Sequence, residues 1–469
     1  MSKAINPYLS GNFAPLTGED DFAQLAVSGA LPQELTGVYL RNGPNPQFAP
    51  RDAHYHWFAG DGMIHAFRLE QGTASYRNRF VPTPKFLAER AAGRALFGTF
   101  GNPLTTDQSV LGTDSGVANT NLVYHAGRLL ALEEGHQPFE LDPVSLRGLG
   151  YRPYGGRYGR VTAHPKIDPD TKELLFFGYG TGPVPLSSGM CFGSIDATGM
   201  CRRLDGFDAP YAAMVHDFFV TRSYVVFPVL PLVGSLERAM AGQMPFAWEP
   251  QRCGYLGVLR RDQEISSLRW LSMDPCYVFH PVNMWEEADT IWVDVMEYAR
   301  APLFPDADGR MGENAPAFLC RWRIDLESGE VVRTQRDDLA GEFPRFDERF
   351  AGRAYRHCWY AARTRADGKL LFNAVAHVDH VRNTRQLYRF ADGDVVGEPI
   401  FVPRTADAAE ADGFVLATVY RGQSAQSDLA VFAATALEDG PLALVHLPRR
   451  LPFGFHGQWL EGLQTSCSI

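Results

Sequence analysis

The sequence predicts a β-propeller, an all-β fold in which four-stranded sheets surround a central axis. Short apolar or alternating runs recur along the chain, and Gly, Asp and Pro residues that favour turns separate them. In a chain of 469 residues these runs are too numerous for one β-sandwich, whereas radial repetition accommodates many short strands and protects their sheet edges. No internal repeat of about 40 to 50 residues can be recognised in the sequence, so the pattern of strands alone does not give the number of blades.

Seven segments show the predicted strands most clearly, because each combines a short apolar or alternating run with flanking turn residues. They are residues 128–134, 172–178, 223–229, 290–296, 369–375, 413–420 and 428–434. Two further stretches, residues 85–96 and 234–241, are predicted to be helical. We therefore predict an all-β fold with a small helical cap.

The cap is predicted to come from two insertions into one domain that covers residues 1–469. These insertions lie around residues 83–110 and 230–250. The second is bounded by Pro residues and is rich in large apolar side chains such as Leu236 and Met240. Such a segment is a candidate for peripheral contact with a membrane, although packing within the cap accounts for the same composition.

The composition is that of a globular protein and argues against several functions. Hydrophobic residues make up 45% and charged residues 21% of the sequence, which is ample for a packed core. A net charge of −10 argues against a nucleic-acid partner, for which a basic surface is expected. Seven cysteines without a CxxC pair are typical of reduced thiols, and no apolar run is long enough to span a bilayer. We therefore expect a cytoplasmic protein.

Four of the thirteen histidines share a local context, in which an apolar or aromatic residue precedes the histidine and Pro, Asp or Gly follows. A single histidine in a β-rich chain is more often a hydrogen-bonded structural residue, and the spacing of these four matches no local metal motif. In a propeller, however, such strand ends converge on the central axis, where four neutral imidazoles would bind a redox-active metal and leave positions for O2. The candidate ligands are His164, His216, His280 and His456.

Signals for other cofactors are weak. The glycines of residues 178–182 follow a predicted strand, but Pro183 and Pro185 stand where a dinucleotide-binding helix would begin. No phosphate-binding loop, serine-hydrolase elbow or zinc-protease motif occurs in the sequence. Oxygen chemistry would therefore draw its electrons from the substrate. Oxidative cleavage of an alkene does so, because C=C and O2 give two C=O groups.

Several motifs together resemble the carotenoid cleavage oxygenases, including their stilbene-cleaving branch, from about residue 7 to the end of the chain. The motifs are Leu40-Arg41-Asn42-Gly43-Pro44, His56-Trp57-Phe58-Ala59-Gly60-Asp61-Gly62-Met63, Ala118-Asn119-Thr120-Asn121, Ala163-His164-Pro165-Lys166, His216-Asp217-Phe218, Glu342-Phe343-Pro344-Arg345 and Gly454-Phe455-His456-Gly457. The resemblance implies a seven-bladed propeller with a helical dome over the iron face. It also implies that Fe(2+) is bound on the axis by the four histidines named above.

The resemblance further implies carboxylates behind the histidines. The matching positions are Glu134, Glu342 and Glu410. A carboxylate in such a place accepts the hydrogen of the far ring nitrogen, orients the imidazole and offsets the charge of the metal. No catalytic side chain beyond the iron centre is implied.

The implied reaction is O2-dependent cleavage of a conjugated alkene, and the substrate is less clearly indicated. In the stilbene-cleaving branch a Tyr and a Lys generally hold the phenolic hydroxyl of the substrate, where this chain has Phe100 and Glu133. Phe100 lacks a hydroxyl, and Glu133 would repel a phenolate. We therefore favour a small apolar apocarotenoid or carotenoid substrate. Phe58 is a third candidate for the substrate pocket. The alternative is a stilbenoid or phenylpropanoid, such as a lignostilbene or an isoeugenol-like alkene.

Two other classes of function compete with this interpretation. A propeller that serves as a protein-interaction platform usually shows legible blade repeats and has no use for four axial histidines. A calcium-dependent propeller hydrolase would need oxygen ligands, and the apolar contexts of the four histidines suit iron better. An isomerase or an inactive relative with the same iron site also remains open at this point.

Overall fold

The computed structural model describes residues 6–51, 55–99, 102–313, 315–365 and 371–462. Within these ranges the chain forms seven sheets of four to six strands and one two-stranded sheet. The seven larger sheets are the blades of a β-propeller, which confirms the predicted fold class and the seven blades that the family resemblance implies. The chain also divides into two compact units: residues 1–152 with 373–377 and 385–469, and residues 153–372 with 378–384.

The first unit contains three of the sheets. The first sheet has, in spatial order, the strands Asp21–Phe22, Thr73–Phe80, Gly62–Glu70, Gly37–Pro44 and Gly457–Glu461. The second has Asn121–His125, Arg128–Leu132, Phe139–Leu141 and Gly148–Tyr151. The third has Ala26–Gly29, Ala443–Leu447, Gln426–Ala433, Gly413–Arg421 and Val395–Val396, with Ile400–Pro403 also paired to Gly413–Arg421. The first sheet joins the two ends of the chain, because Gly457–Glu461 pairs antiparallel with Gly37–Pro44.

Three further four-stranded sheets and the two-stranded sheet lie in the second unit. The strands are Lys166–Ile167, Leu174–Tyr179, Gly189–Ile195 and Cys201–Asp208; Phe219–Val220, Tyr224–Val229, Gly254–Arg260 and Arg269–Met273; Tyr277–Glu287, Thr290–Tyr298, Ala317–Asp325 and Val331–Gln335; and the pair Leu232–Gly234 and Phe246–Trp248. The remaining blade consists of Gly341–Phe346, His357–Ala362, Ala374–Asp379 and Thr384–Arg389.

Burial explains why many predicted strands are continuous apolar runs and not strict alternations. Every residue of Leu174–Tyr179 and of Gly189–Ile195 is buried, as expected for strands that are covered on both faces. In the same sheet, the outermost strand Cys201–Asp208 has no buried residue. Six of the seven segments chosen from the sequence coincide with strands. The seventh, residues 369–375, overlaps only the start of Ala374–Asp379, and residues 366–370 lie outside the described residues.

The described residues include two α-helices, one in each predicted insertion. Helix Pro84–Ala92 begins at Thr83, whose side chain accepts a hydrogen bond from the Phe86 N–H, and it ends at Gly93 with φ 67°. It is shorter than the predicted residues 85–96, because the left-handed backbone at Gly93 stops helical hydrogen bonding. Lys85 anchors this helix through an ion pair of 2.6 Å to Asp61, and it also pairs within the helix with Glu89 at 2.9 Å.

The second helix, Leu236–Met240, connects the two strands of the small hairpin. Leu236 and Met240 are 40% and 66% exposed, whereas Leu232 and Trp248 of the hairpin are buried. In the described ranges, no helix has both the length and the hydropathy needed to span a membrane. Contact of this segment with lipid stays a prediction, which co-sedimentation with liposomes would test.

Short 3-10 helices connect or precede several strands. They are Pro7–Leu9, Gly11–Phe13, Trp57–Ala59, Pro103–Thr105, Gln108–Val110, Gly156–Tyr158, Ile265–Ser267, Glu348–Phe350 and Leu437–Asp439.

Candidate metal centre

Each of the four candidate histidines lies in or beside the edge strand of a different sheet. His164 precedes Lys166–Ile167, His216 precedes Phe219–Val220 and His280 lies within Tyr277–Glu287. His456 immediately precedes Gly457–Glu461. The predicted strand-end context therefore corresponds to one repeated location, the edge strand of a blade.

The four imidazoles gather at one point. His164 Nε2 lies 3.0 Å from His216 Nε2, which lies 3.1 Å from His280 Nε2. One nitrogen from each of these residues and from His456 falls within a group whose members are all within 4.8 Å of one another. All four side chains are buried, with exposures between 4% and 9%. In the described part of the chain this is the one such cluster of His, Cys, Asp and Glu.

The separations suit a bound cation. Two nitrogens that each lie about 2.1 Å from an ion, at right angles to each other, are about 3.0 Å apart. Neutral imidazole is a ligand for iron, copper, nickel and zinc, whereas calcium and magnesium prefer oxygen. The donor set therefore fits a transition metal and does not fit the calcium site of a propeller hydrolase.

Carboxylates determine which ring nitrogen carries the proton at two of the histidines. His280 Nδ1 lies 2.6 Å from Glu342 Oε2, and His456 Nδ1 lies 2.9 Å from Glu398 Oε1. Because an ionised carboxylate only accepts hydrogen bonds, each Nδ1 carries the hydrogen and donates it. The lone pair is then on Nε2, the nitrogen that binds a metal in this arrangement.

A strained turn places Glu342. Its neighbour Phe343 has φ 54°, a left-handed conformation that is uncommon for a bulky residue. The pairing register of the strand shifts between Glu342 and Arg345, as at a β-bulge that changes the direction of a side chain. The Phe343 N–H donates to the Glu342 carboxylate, and the Phe343 ring stacks on His280 with centroids 5.5 Å apart. The bulge thus directs the carboxylate and an aromatic face at the same imidazole.

Backbone contacts between distant motifs hold His456. The His456 carbonyl accepts a hydrogen bond from the Asn42 N–H at 2.8 Å, and the His456 N–H donates to the Thr120 carbonyl at 3.2 Å. Gly454 permits this close approach, because a Cβ there would lie 2.8 Å from the Asn42 carbonyl oxygen. Residues of two motifs that contain no candidate histidine, Asn42 and Thr120, therefore support His456.

A carboxylate that the sequence analysis did not select, Glu398, contacts His456, and the role predicted for Glu410 stays a prediction. The carboxylate on His456 belongs to Glu398, which is 1% exposed and also accepts from the Gly457 N–H at 2.8 Å. Glu410 is half-buried and lies in the segment before Gly413–Arg421. The overlooked signal was a charged residue between two short apolar stretches, because a buried carboxylate requires a partner.

The roles predicted for Glu134, Phe58 and Phe100 stay predictions. Glu134 is half-buried and follows strand Arg128–Leu132, and its placement behind a histidine stays a prediction. Phe58 lies in the 3-10 helix Trp57–Ala59 and packs edge to face on Phe455, with centroids 5.5 Å apart. Phe100 lies outside the described residues. The substrate contacts predicted for Phe58 and Phe100 therefore stay predictions.

Glu133 has a structural role in the polypeptide. Its Oε1 accepts hydrogen bonds from the Val117 N–H at 2.6 Å and the Ala118 N–H at 2.9 Å, and it lies 3.3 Å from His136 Nδ1. Burial raises the pKa of this carboxyl, but His136 and the two N–H groups outweigh burial and lower the pKa below its usual value. The resulting stabilisation is present above the unfolded-state pKa and is lost as the pH falls through the folded-state pKa.

Replacing Glu133 with Ala is therefore expected to reduce the free energy of unfolding by about 1–3 kcal/mol, because two N–H groups lose their acceptor. Urea denaturation would measure this change. Glu133→Gln keeps an acceptor oxygen and is expected to lose less. Unchanged stability of Glu133→Ala together with a raised KM would contradict the structural role and favour direct contact with substrate.

Comparisons with known proteins cover nearly the whole chain. The model of the retinal pigment epithelial membrane protein family matches residues 13–461. The isoeugenol monooxygenase of Pseudomonas nitroreducens is 37% identical over 470 residues, which are 97% of this chain and 98% of that protein.

Solved structures agree with this family match. The lignostilbene dioxygenase of Pseudomonas brassicacearum is 33% identical, with a TM-score of 0.93 over 98% of this chain and 99% of its own. The cobalt-substituted apocarotenoid oxygenase of Synechocystis is 28% identical, with a TM-score of 0.84 over 96% of this chain and 97% of its own. The chain therefore belongs to the retinal pigment epithelial membrane protein and carotenoid cleavage oxygenase family, and it is an oxidoreductase of the oxygenase type.

Proposed function

We propose that the protein is a non-haem Fe(2+) oxygenase that uses O2 to cleave the conjugated C=C bond of a phenylpropanoid or stilbenoid into two carbonyl groups. The observation that carries the proposal is the buried group of four imidazoles, whose ligand nitrogens lie within 4.8 Å of one another. The proposed substrate class is based on the sequence identity of this chain to its relatives. Identity is 37% to the isoeugenol monooxygenase and 28% to the apocarotenoid oxygenase. This evidence replaces the sequence-based preference for an apocarotenoid.

The metal would be held by His164, His216, His280 and His456. An Fe(2+) held by these four imidazoles would supply the activation of O2, because such a ligand set leaves coordination positions for it. Glu342 and Glu398 hold the rings of His280 and His456 with Nε2 deprotonated. Their two negative charges would balance the two positive charges of the ion in a buried site.

The surroundings of the site are apolar and suit a conjugated hydrocarbon. The Phe279 ring meets His216 edge to face with centroids 5.0 Å apart, and Phe343 stacks on His280. Both phenylalanines are buried. Such aromatic walls exclude bulk water and contact a flat π system favourably. Because C=C and O2 balance with two C=O groups, no side chain has to donate or remove a proton.

Recognition of a phenolic hydroxyl is expected to differ from the Tyr and Lys arrangement of the stilbene-cleaving branch. Glu133 stands at the position of the Lys, and its Oε1 is already bonded to two backbone N–H groups. A carboxylate repels a phenolate but accepts a hydrogen bond from a neutral phenol. We therefore expect the neutral phenol to be the substrate form.

Anaerobic loading with Fe(2+), followed by parallel assays of isoeugenol, a hydroxystilbene and an apocarotenal, tests the proposal. Oxygen consumption and product masses would be measured. We expect aldehydes from isoeugenol or the hydroxystilbene, and none from the apocarotenal. The metal-free protein is the control. Cleavage of the apocarotenal alone would overturn the substrate class, and loaded protein that cleaves none of the three would contradict alkene cleavage.

A further inference from the structure

We propose that Asp217, held in place by Lys166, is a positioning residue that orients the imidazole of His164. The inference rests on the proposed metal site and goes beyond it, because Asp217 was not among the carboxylates predicted behind the histidines and no role was predicted for Lys166. Asp217 follows one candidate ligand directly in the sequence, yet its carboxylate faces another one, with Oδ2 3.7 Å from His164 Nδ1.

Asp217 is fixed from two sides. Lys166 Nζ lies 2.8 Å from Oδ1 and 2.9 Å from Oδ2, so the ammonium group contacts both carboxylate oxygens. The Phe218 N–H donates to Oδ1 at 2.7 Å. The Asp217 side chain is only 4% exposed. A buried carboxylate with these contacts has one orientation, and that orientation directs Oδ2 towards the His164 ring.

The distance of 3.7 Å is longer than a hydrogen bond, so Asp217 acts on His164 by electrostatic attraction. The attraction favours the ring orientation with Nδ1–H towards the carboxylate and Nε2 towards His216, from which it is 3.0 Å away. A cation on Nε2 would increase the positive charge of the Nδ1–H group and strengthen this preference.

Charge balance gives a physical reason for the lysine beside Asp217. Glu342 and Glu398 already place two carboxylates against candidate ligands, and Glu134 is predicted to lie behind a histidine as well. A further unpaired carboxylate in the same buried region would add an uncompensated charge, which is costly in a medium of low dielectric constant. Lys166 removes this excess charge, while its own side chain remains 27% exposed to solvent.

Titration of the metal-free protein with Co(2+) tests the inference without the catalytic reaction. Cobalt is chosen because its d–d absorption bands report the geometry of its ligands, and because a relative has been obtained in cobalt-substituted form. We expect Asp217→Asn to weaken Co(2+) binding by at least about 10-fold and to shift the absorption bands. Asn keeps an acceptor oxygen for the Phe218 N–H, but it loses the negative charge and places an NH2 donor where Oδ2 faces Lys166 and His164.

Asp168→Asn is the matched control. Asp168 is half-buried, with a side chain only 11% exposed, and it is also ion-paired, with Oδ2 2.7 Å from Arg261 Nη1, while its Oδ1 accepts from the Asp170 and Thr171 N–H groups. It is expected to retain wild-type affinity and absorption bands. Equal affinity and identical bands in Asp217→Asn and wild type would overturn the inference.

Lys166 supplies a second pair of variants on a more exposed side chain. Lys166→Met is expected to shift the cobalt bands, because the carboxylate loses the group that fixes its orientation, and Lys166→Arg is expected to restore them. Bands of Lys166→Met that coincide with those of wild type would count against the pair. Wild-type protein that takes up no cobalt would refute the metal site itself, which separates that failure from failure of this inference.

Discussion

His216→Ala is expected to abolish Fe(2+) binding and to reduce alkene cleavage by well over 100-fold. Its Nε2 lies within 3.1 Å of the corresponding nitrogens of both His164 and His280, so the substitution removes a ligand that adjoins two others. Loss of a residue behind a ligand already costs about 10–100-fold in metal affinity or activity, and loss of a ligand itself costs more. Bound iron per chain and the rate of oxygen consumption would measure both effects.

His446→Ala is the control for this prediction. His446 lies in strand Ala443–Leu447, its side chain is 39% exposed, and it contacts Asp428 at 2.8 Å and Ser28 at 2.7 Å. It is expected to bind iron and turn over substrate as the wild type does. Full iron content in His216→Ala, or loss of iron in His446→Ala, would contradict the assignment of the metal centre.

Glu398→Gln is expected to weaken metal binding by about 10–100-fold, whereas Glu410→Gln is expected to leave it unchanged. Glutamine keeps an acceptor for the Gly457 N–H, but it removes the negative charge that His456 Nδ1 faces at 2.9 Å. The imidazole then loses its charged acceptor, and the buried site loses one of the charges that balance the cation. Competition with a chelator of known affinity would measure the difference.

The two glutamates form a direct comparison, because both substitutions exchange a carboxylate for an amide of nearly equal size. Thermal unfolding of the metal-free variants shows whether either substitution disturbs the fold. Weakened binding in Glu410→Gln with unchanged binding in Glu398→Gln would contradict the role of Glu398 and support the prediction made for Glu410.

Local patterns were sufficient to predict strands but not how the strands associate. The apolar runs at residues 172–178 and 413–420 correspond to strands Leu174–Tyr179 and Gly413–Arg421, because covered strands need apolar residues on both faces. The pairing of Gly37–Pro44 with Gly457–Glu461 leaves no comparable pattern, since it joins segments from opposite ends of the chain.

The candidate metal centre likewise combines residues that local sequence predicts with residues that only the structure identifies. His164, His216, His280 and His456 were chosen from their immediate neighbours, and the structure brings them together. The carboxylates behind them were harder to identify. Glu398 and Asp217 become evident only from distances, because a charged residue beside a turn has the same local pattern whether it meets solvent or an imidazole.

The sequence by itself determined the all-β class, the oxygenase family and the choice of the four histidines as candidate ligands. These depend on local composition and on short motifs, which can be recognised from neighbouring residues in the chain. Only the tertiary structure decided which of the described strands pair within each blade, that Glu398 contacts His456 and that Glu133 is bonded to the backbone of Val117 and Ala118. The physical reason is that hydrogen bonds and burial act between residues that are close in space. Neighbours in space can be hundreds of positions apart in the chain.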